Sequence, residues 1–215
     1  MGSEAVAAAY RGTLLIADIS GYTGFLGAVG GVHGEEMAKT GVIPEAYPLM
    51  TTLLEGIVDR LVPPFTLSKT EGDAVFAFAS DADLDIRGQS ILDCIGACYA
   101  SFRGQVEAMN TAITCDCNAC GMGIPLDLKF VLHHGGYVTQ PIAGRAELIG
   151  PEVNAVHRLL KNHATDLVGD HAYALLTAAA VEGLQVPADG TPTVTETYDH
   201  FPPIEAYVFE LSVPV

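Results

Sequence analysis

Short apolar runs alternate along the chain with longer stretches of helical periodicity. Residues 12 to 18, GTLLIAD, form an apolar run ending in an acid, the pattern of a buried strand with a carboxylate at its exit. From Gly21 to Gly34 the chain is rich in glycine and is expected to loop or to begin a helix. Residues 44 to 62 predict an amphipathic helix, with Leu49, Leu53, Leu54, Ile57, Val58 and Leu61 at helical spacing and Pro63 and Pro64 stopping it. Phe65 to Ser68 and Ala74 to Ala79 are β-type runs on either side of KTEGD, which predicts a hairpin. A helix is expected from about Ile86 to Met109, with Ile91, Cys94, Ile95, Cys98 and Phe102 on one side. After the aperiodic CDCNACGMGIP, strand alternation resumes in LDLKFVLHHGGYV, and a turn at Gly144 lies between Ile142 and Leu148. Pro151 opens a helix over GPEVNAVHRLLKN, where a first turn tolerates proline. A last helix near Ala172 to Val181 and two strands, Val194 to Tyr198 and Ala206 to Leu211, are expected to complete the chain.

The order β, α, β, β, α, β with extra strands at the end predicts an α+β fold, a ferredoxin-like core with helices on one face. The 215 residues suffice for one sizeable core, and no composition shift marks a second domain. Residues 1–215 are therefore expected to form a single domain, with its core over about 12–211.

Charge narrows the partners. Acidic residues outnumber basic ones by 26 to 10, for a formal charge of −16, and the cations form no run. This argues against nucleic acid as a partner and means that any nucleotide site needs divalent metal or locally concentrated positive charge. No segment carries eighteen uninterrupted apolar residues, and the N-terminus lacks a basic region followed by a hydrophobic one. Val6 stands where a myristoylation signal wants Ser or Thr. The expectation is a cytoplasmic protein that does not engage a membrane.

Asp18 ends the first strand and Asp73 sits in the hairpin turn. Two carboxylates at strand ends suit hard divalent ions, which prefer oxygen ligands, although each alone is as readily a cap or a turn former. The five cysteines crowd between residues 94 and 120. Cys115, Cys117 and Cys120 form CxCxxC, an incomplete zinc knuckle or a thiol sensor; a closed zinc site would take its fourth ligand from Cys94, Cys98 or a nearby histidine. Cys94 and Cys98 are otherwise ordinary core residues. His133 and His134 alternate faces, so only one is expected to point inward.

Three ordered segments, ADISGYTGFL (17–26), LSKTEGDAVFAF (67–78) and ELIGPEVNAVHRL (147–159), resemble the motifs of class III adenylate and guanylate cyclase catalytic domains. The whole chain looks most similar to an uncharacterised bacterial cyclase-like subgroup with a cysteine-containing insert, here residues 115–125. The resemblance covers about residues 12 to 211. It implies that Asp18 and Asp73, with the carbonyl of Ile19, bind two Mg²⁺ or Mn²⁺ ions. It further implies that Lys69 and Glu147 read adenine, that Asn154 orients the ribose, and that Arg158 stabilises charge on the transferring phosphate. A lysine paired with a carboxylate suits adenine's acceptor and donor edge, which favours ATP over GTP. The implied reaction converts ATP to cyclic AMP and pyrophosphate in a head-to-tail homodimer with shared active sites.

The match departs from the family at its end. Members carry a lysine near the final strands to hold the terminal phosphates, but no Lys or Arg follows Lys161 here. His200 lies near that place, and an ordinary histidine is mostly uncharged at neutral pH. Arg145 and Lys161 are the candidate phosphate contacts. The alternative is a weak or inactive homologue serving as a nucleotide-binding or dimeric regulatory module.

Overall fold

The first apolar run is apolar on both faces, and it becomes the middle of the sheet. In the computed structural model, which describes residues 7–121 and 125–213, β1 (Ala8–Ser20) buries Leu14 and Ile16 in one apolar layer and Leu15, Ala17 and Ile19 in the other. The order continues α1 (Tyr22–Thr40), α2 (Ala46–Leu61), β2 (Thr66–Glu71), β3 (Ala74–Ser80) and α3 (Gln89–Ala112). A single turn, α4 (Asn118–Gly121), precedes β4 (Asp127–Ile142) and β5 (Arg145–Ile149). Then come α5 (Pro151–Arg158), extended by a 3-10 turn at Leu159–Lys161, and the short α6 (Thr165–Val168). The chain ends with β6 (Tyr173–Thr177), α7 (Ala178–Leu184), β7 (Thr193–Glu196) and β8 (Ile204–Glu210).

Among the described residues, eight strands form one sheet in the order β2-β3-β1-β4-β6-β8-β7, with β5 paired to β4 off that path. Because β1 runs antiparallel to both β3 and β4, the row β4-β1-β3-β2 is the sheet of a ferredoxin-like βαββαβ unit, and β6, β7 and β8 are the additional C-terminal strands. Helices α1, α2 and α3 share one face, where Phe25, Met50, Leu53, Ile57, Ile91 and Phe102 meet the sheet. The expectation of helices on one face holds for that unit, but the opposite face is covered too, by Val153, Val156 and Leu159 against Leu14, Ile16 and Phe76.

Two differences from the sequence-based expectation follow from this second layer. His133 and His134 are both buried, at 6% and 5% exposure, because a sheet covered on both sides has no outer face. Each is satisfied: His133 meets Thr177 Oγ1 at 3.0 Å and Glu152 at 2.6 Å, and His134 meets Asp81 at 2.9 Å. The helix expected near 172–181 divides into β6 and α7. All five side chains of Tyr173–Thr177 are buried between β4 and β8, and the Thr177 hydroxyl then accepts from Ala180 N–H at 3.2 Å, capping α7.

The glycine-rich segment is a helix of 19 residues. Gly24, Gly27, Gly30, Gly31 and Gly34 together cost about 4–5 kcal/mol against alanine in a helix, and α1 buries only Phe25 and Val29 in return. A Cβ at any of these five positions would meet nothing within 4 Å, so packing does not require the glycines. Among the described residues no helix is long and apolar enough to cross a membrane.

Glu196, at the end of β7, is buried and gathers the segment that follows α5: His163 N–H donates to it at 2.6 Å and His163 Nδ1 lies 2.9 Å from its second oxygen. The hydrogen bond to Glu196, and then its charge, raise the His163 pKa above the ordinary value. A raised folded pKa stabilises fully below the unfolded value and ceases to do so as pH rises through the folded value. The urea midpoint of the native protein is therefore expected to fall between about pH 6 and about pH 9. In His163→Ala the fall should be smaller, which denaturation at the two pH values checks.

Candidate functional site

Asp18 lies opposite Ala74 on β3 and Lys129 on β4. Asp73 occupies the turn joining β2 to β3, where Gly72 takes φ +65°, a conformation that side chains rarely adopt. Ile19 N–H donates to the Asp73 carbonyl at 3.0 Å, so this turn is tied to the end of β1. Burial raises the Asp73 pKa, a backbone hydrogen bond opposes the rise, the charge of Asp18 adds to it and that of Lys129 opposes it. Asp18 and Asp73 are thus near enough to repel. Lys129 Nζ lies 3.0 Å from Asp18 Oδ2, with only 22% and 16% of the two side chains exposed. One ammonium offsets one of two negative charges. The carboxylates, with the adjoining Ile19 carbonyl, are hard oxygen donors with charge left over, and this donor set fits a divalent ion of the Mg²⁺ or Mn²⁺ type.

A second cluster is built from β2, β5 and α5. Lys69 Nζ lies 2.8 Å from Glu71 and 3.5 Å from Glu147. Glu71 Oε2 meets His157 Nε2 at 3.0 Å, while His157 Nδ1 meets the Val153 carbonyl at 2.7 Å and its ring stands edge-on to Phe76. Burial alone would raise the Glu71 pKa, but Lys69 and His157 together hold it below the ordinary value. Lys69, Arg145 and Glu147 line a cleft of about 640 Å³. Asn154, Arg158 and Lys161 line another of about 580 Å³, together with His157 and His200. The chain Glu147, Lys69, Glu71, His157 therefore links the two clefts. No hydrogen bond or ion pair among the described residues joins this cluster to the acid pair.

The sequence did not point to Glu71, His157 or Lys129. Glu71 lies two residues beyond Lys69 on a strand, and His157 three beyond Asn154 on a helix, so each shares a face with a residue already marked. Lys129 had no local signal, since only strand register puts it opposite Asp18.

Residues 50–167 match the family described as "Protein of unknown function (DUF2652)". The chain belongs to this family. It is 34% identical over 113 residues to the uncharacterized protein Rv2561/Rv2562 of Mycobacterium tuberculosis, covering 53% of this chain and 51% of that protein. This DUF2652 member thus spans about half the length of the curated relative it matches. Among solved structures it is similar to the adenylyl cyclase CyaB from P. aeruginosa, with TM-score 0.62 and 17% identity over 95% of this chain and 96% of that one. It is also similar to the guanylyl cyclase Cya2, with TM-score 0.64 and 15% identity over 94% and 93%. The DUF2652 chain therefore has the mixed α/β fold, open sheet and helices, of adenylyl and guanylyl cyclase domains.

The cysteine loop of this DUF2652 chain is described except for residues 122–124 of the expected 115–125 insert. Cys115, Cys117 and Cys120 gather with His33 from α1, and one ligand atom from each of the four lies within 4.8 Å of every other. The fourth member of the cluster is thus a histidine, the alternative to Cys94 and Cys98 that the sequence left open. Cys98 is buried among α3 core residues, and burial pushes its thiol up to about 12.

Proposed function

We propose that this chain is a nucleotide cyclase of the adenylate type, converting ATP to cyclic AMP and pyrophosphate. The observation that carries the reading is the meeting of Lys69 and Glu147, from separate strands, in the lining of a cleft linked through Glu71 and His157 to the cleft that holds Asn154, Arg158 and Lys161. Lys69 is substantially exposed. An exposed ion pair contributes about 0–1 kcal/mol, so a base can enter between Lys69 and Glu147 at small cost. The ammonium would donate to adenine N1 and the carboxylate accept from the exocyclic amine, a pattern that guanine reverses.

Asp18, Asp73 and the Ile19 carbonyl would hold two Mg²⁺ or Mn²⁺ ions. When bound, the ions acidify the ribose 3′-hydroxyl and offset the triphosphate charge. In the other cluster Asn154 would orient the ribose, and the guanidinium fork of Arg158 would stabilise the charge that develops as the 3′-oxygen bonds to the α-phosphorus and pyrophosphate departs. Arg145 and Lys161 would contact the phosphates, and His200 adjoins Lys161 in its cleft. The class III resemblance implies a head-to-tail homodimer in which each chain would supply half of each site.

The absence of Lys and Arg after Lys161 supports the second reading, a nucleotide-binding module without turnover. Purified protein with Mn²⁺ and ATP or GTP, assayed side by side, distinguishes the two. Cyclic AMP is expected to exceed cyclic GMP, and Glu147→Ala to lower that preference about tenfold, the effect of one lost hydrogen bond to the base. ATP binding by calorimetry with no product from either nucleotide would leave only the binding module.

A further inference from the structure

We propose that His33, Cys115, Cys117 and Cys120 form a structural Zn²⁺ site, and that the helical order of α1 depends on it. Ordinary Zn–S and Zn–N bond lengths set tetrahedral edges of about 3.6–3.8 Å between ligand atoms. Here His33 Nε2 lies 3.6 Å from Cys115 Sγ, at that edge, and 3.1 Å from Cys117 Sγ, inside it, so the two would move slightly apart to admit the ion. Cys117 directly precedes α4, and Cys120 N–H donates back to Cys117 Sγ at 3.3 Å, the contact that a metal-bound thiolate accepts. Three thiolates and an imidazole select zinc over the oxygen-preferring ions suited to Asp18 and Asp73. Four protein ligands leave no open position, which makes the site structural and not catalytic.

The second observation is the weakness of α1. Its five glycines answer no steric demand, and it buries only two side chains. A helix of that composition is disfavoured in isolation, and His33 supplies a bond that apolar packing does not. The cysteines sit between α3 and β4 while His33 sits on α1, so the metal would tie together segments more than eighty residues apart. Metal binding of this kind is folding free energy. Since α1 begins directly after the strand that carries Asp18, the zinc would also steady the approach to the acid pair. That last consequence alone rests on the cyclase reading.

The test uses the full chain, purified with reductant and without chelator. Elemental analysis is expected to find about one zinc per chain, falling below about a tenth in His33→Ala and in Cys117→Ala and unchanged in Cys94→Ala. Chelation should accelerate amide exchange across residues 22–40 at least about tenfold while β1 and β4 keep their protection, and added ZnCl₂ should restore it. If the variants aggregate, the cycle of chelation and zinc return on the native chain decides the matter. A reduced native chain that takes up no zinc, a disulfide among the three cysteines in freshly prepared protein, or exchange in 22–40 indifferent to the metal would overturn the proposal. None of these readouts involves nucleotide, so an inactive protein could still hold zinc and an active one could lack it.

Discussion

Asp18→Asn is expected to lower manganese-dependent formation of cyclic AMP at least about 1,000-fold, because the amide keeps the shape of the side chain and removes the charge that would hold the ions. The fold should survive. Lys129 would then face a neutral partner in a part-buried position, at a cost of about 1–2 kcal/mol, below the range for fully buried pairs because both groups retain some solvent. Circular dichroism and thermal melting check that part. The ion pair also offers a rival explanation, in which Asp18 serves only to neutralise Lys129, and Lys129→Gln separates the two. If Asp18 is a metal ligand, removing the competing ammonium should preserve turnover and lower the Mn²⁺ concentration needed for half-maximal rate. If Asp18 exists for Lys129, both variants should lose activity alike. Asp18→Asn protein within tenfold of the native rate would remove the acid pair from the chemistry.

What the sequence made legible depended on local signals. The β1 run, the α2 stripe stopped by Pro63 and Pro64, the hairpin around Gly72 and the Pro151 helix start each carry their period and their punctuation within a few residues. The segment that became α1 carries neither. Its apolar residues are too sparse to mark a face, and its glycines speak against the helix that forms. Residues 172–181 misled for another reason. AYALLTAAAV is apolar apart from Thr177, so nothing in its pattern distinguishes a buried strand from a helix; the neighbours β4 and β8 decide it. The site divides in the same way. Asp18, Asp73, Lys69, Glu147, Asn154 and Arg158 sit in motifs that can be read in place. Their partners do not: Lys129 reaches Asp18 through strand register, His157 reaches Glu71 from 86 residues away, and His33 reaches Cys117 across 84.

Arg158→Ala is expected to lower turnover about 100-fold, the effect of losing one fixed cation at developing phosphate charge, with little change in stability because Arg158 is exposed. The larger consequence appears when it is combined with Asp18→Asn in separate chains. If one chain supplies the acids and its partner supplies Asn154 and Arg158, every site in a homodimer of either variant is damaged. In a mixed dimer one site receives both damaged halves and the other receives two intact ones. Random pairing makes half of the dimers mixed, with one intact site of two, so co-refolded protein should recover about a quarter of native activity from two nearly inactive parents. A site completed within one chain cannot behave this way, since mixing leaves every chain with its own defect. Specific activity of the native protein should also fall on dilution below the dimer's dissociation constant, because in a dimer with shared sites an isolated chain cannot complete one. A mixture no more active than the sum of its parents, at concentrations where sedimentation shows mixed dimers, would place the whole reaction within one chain or remove it altogether.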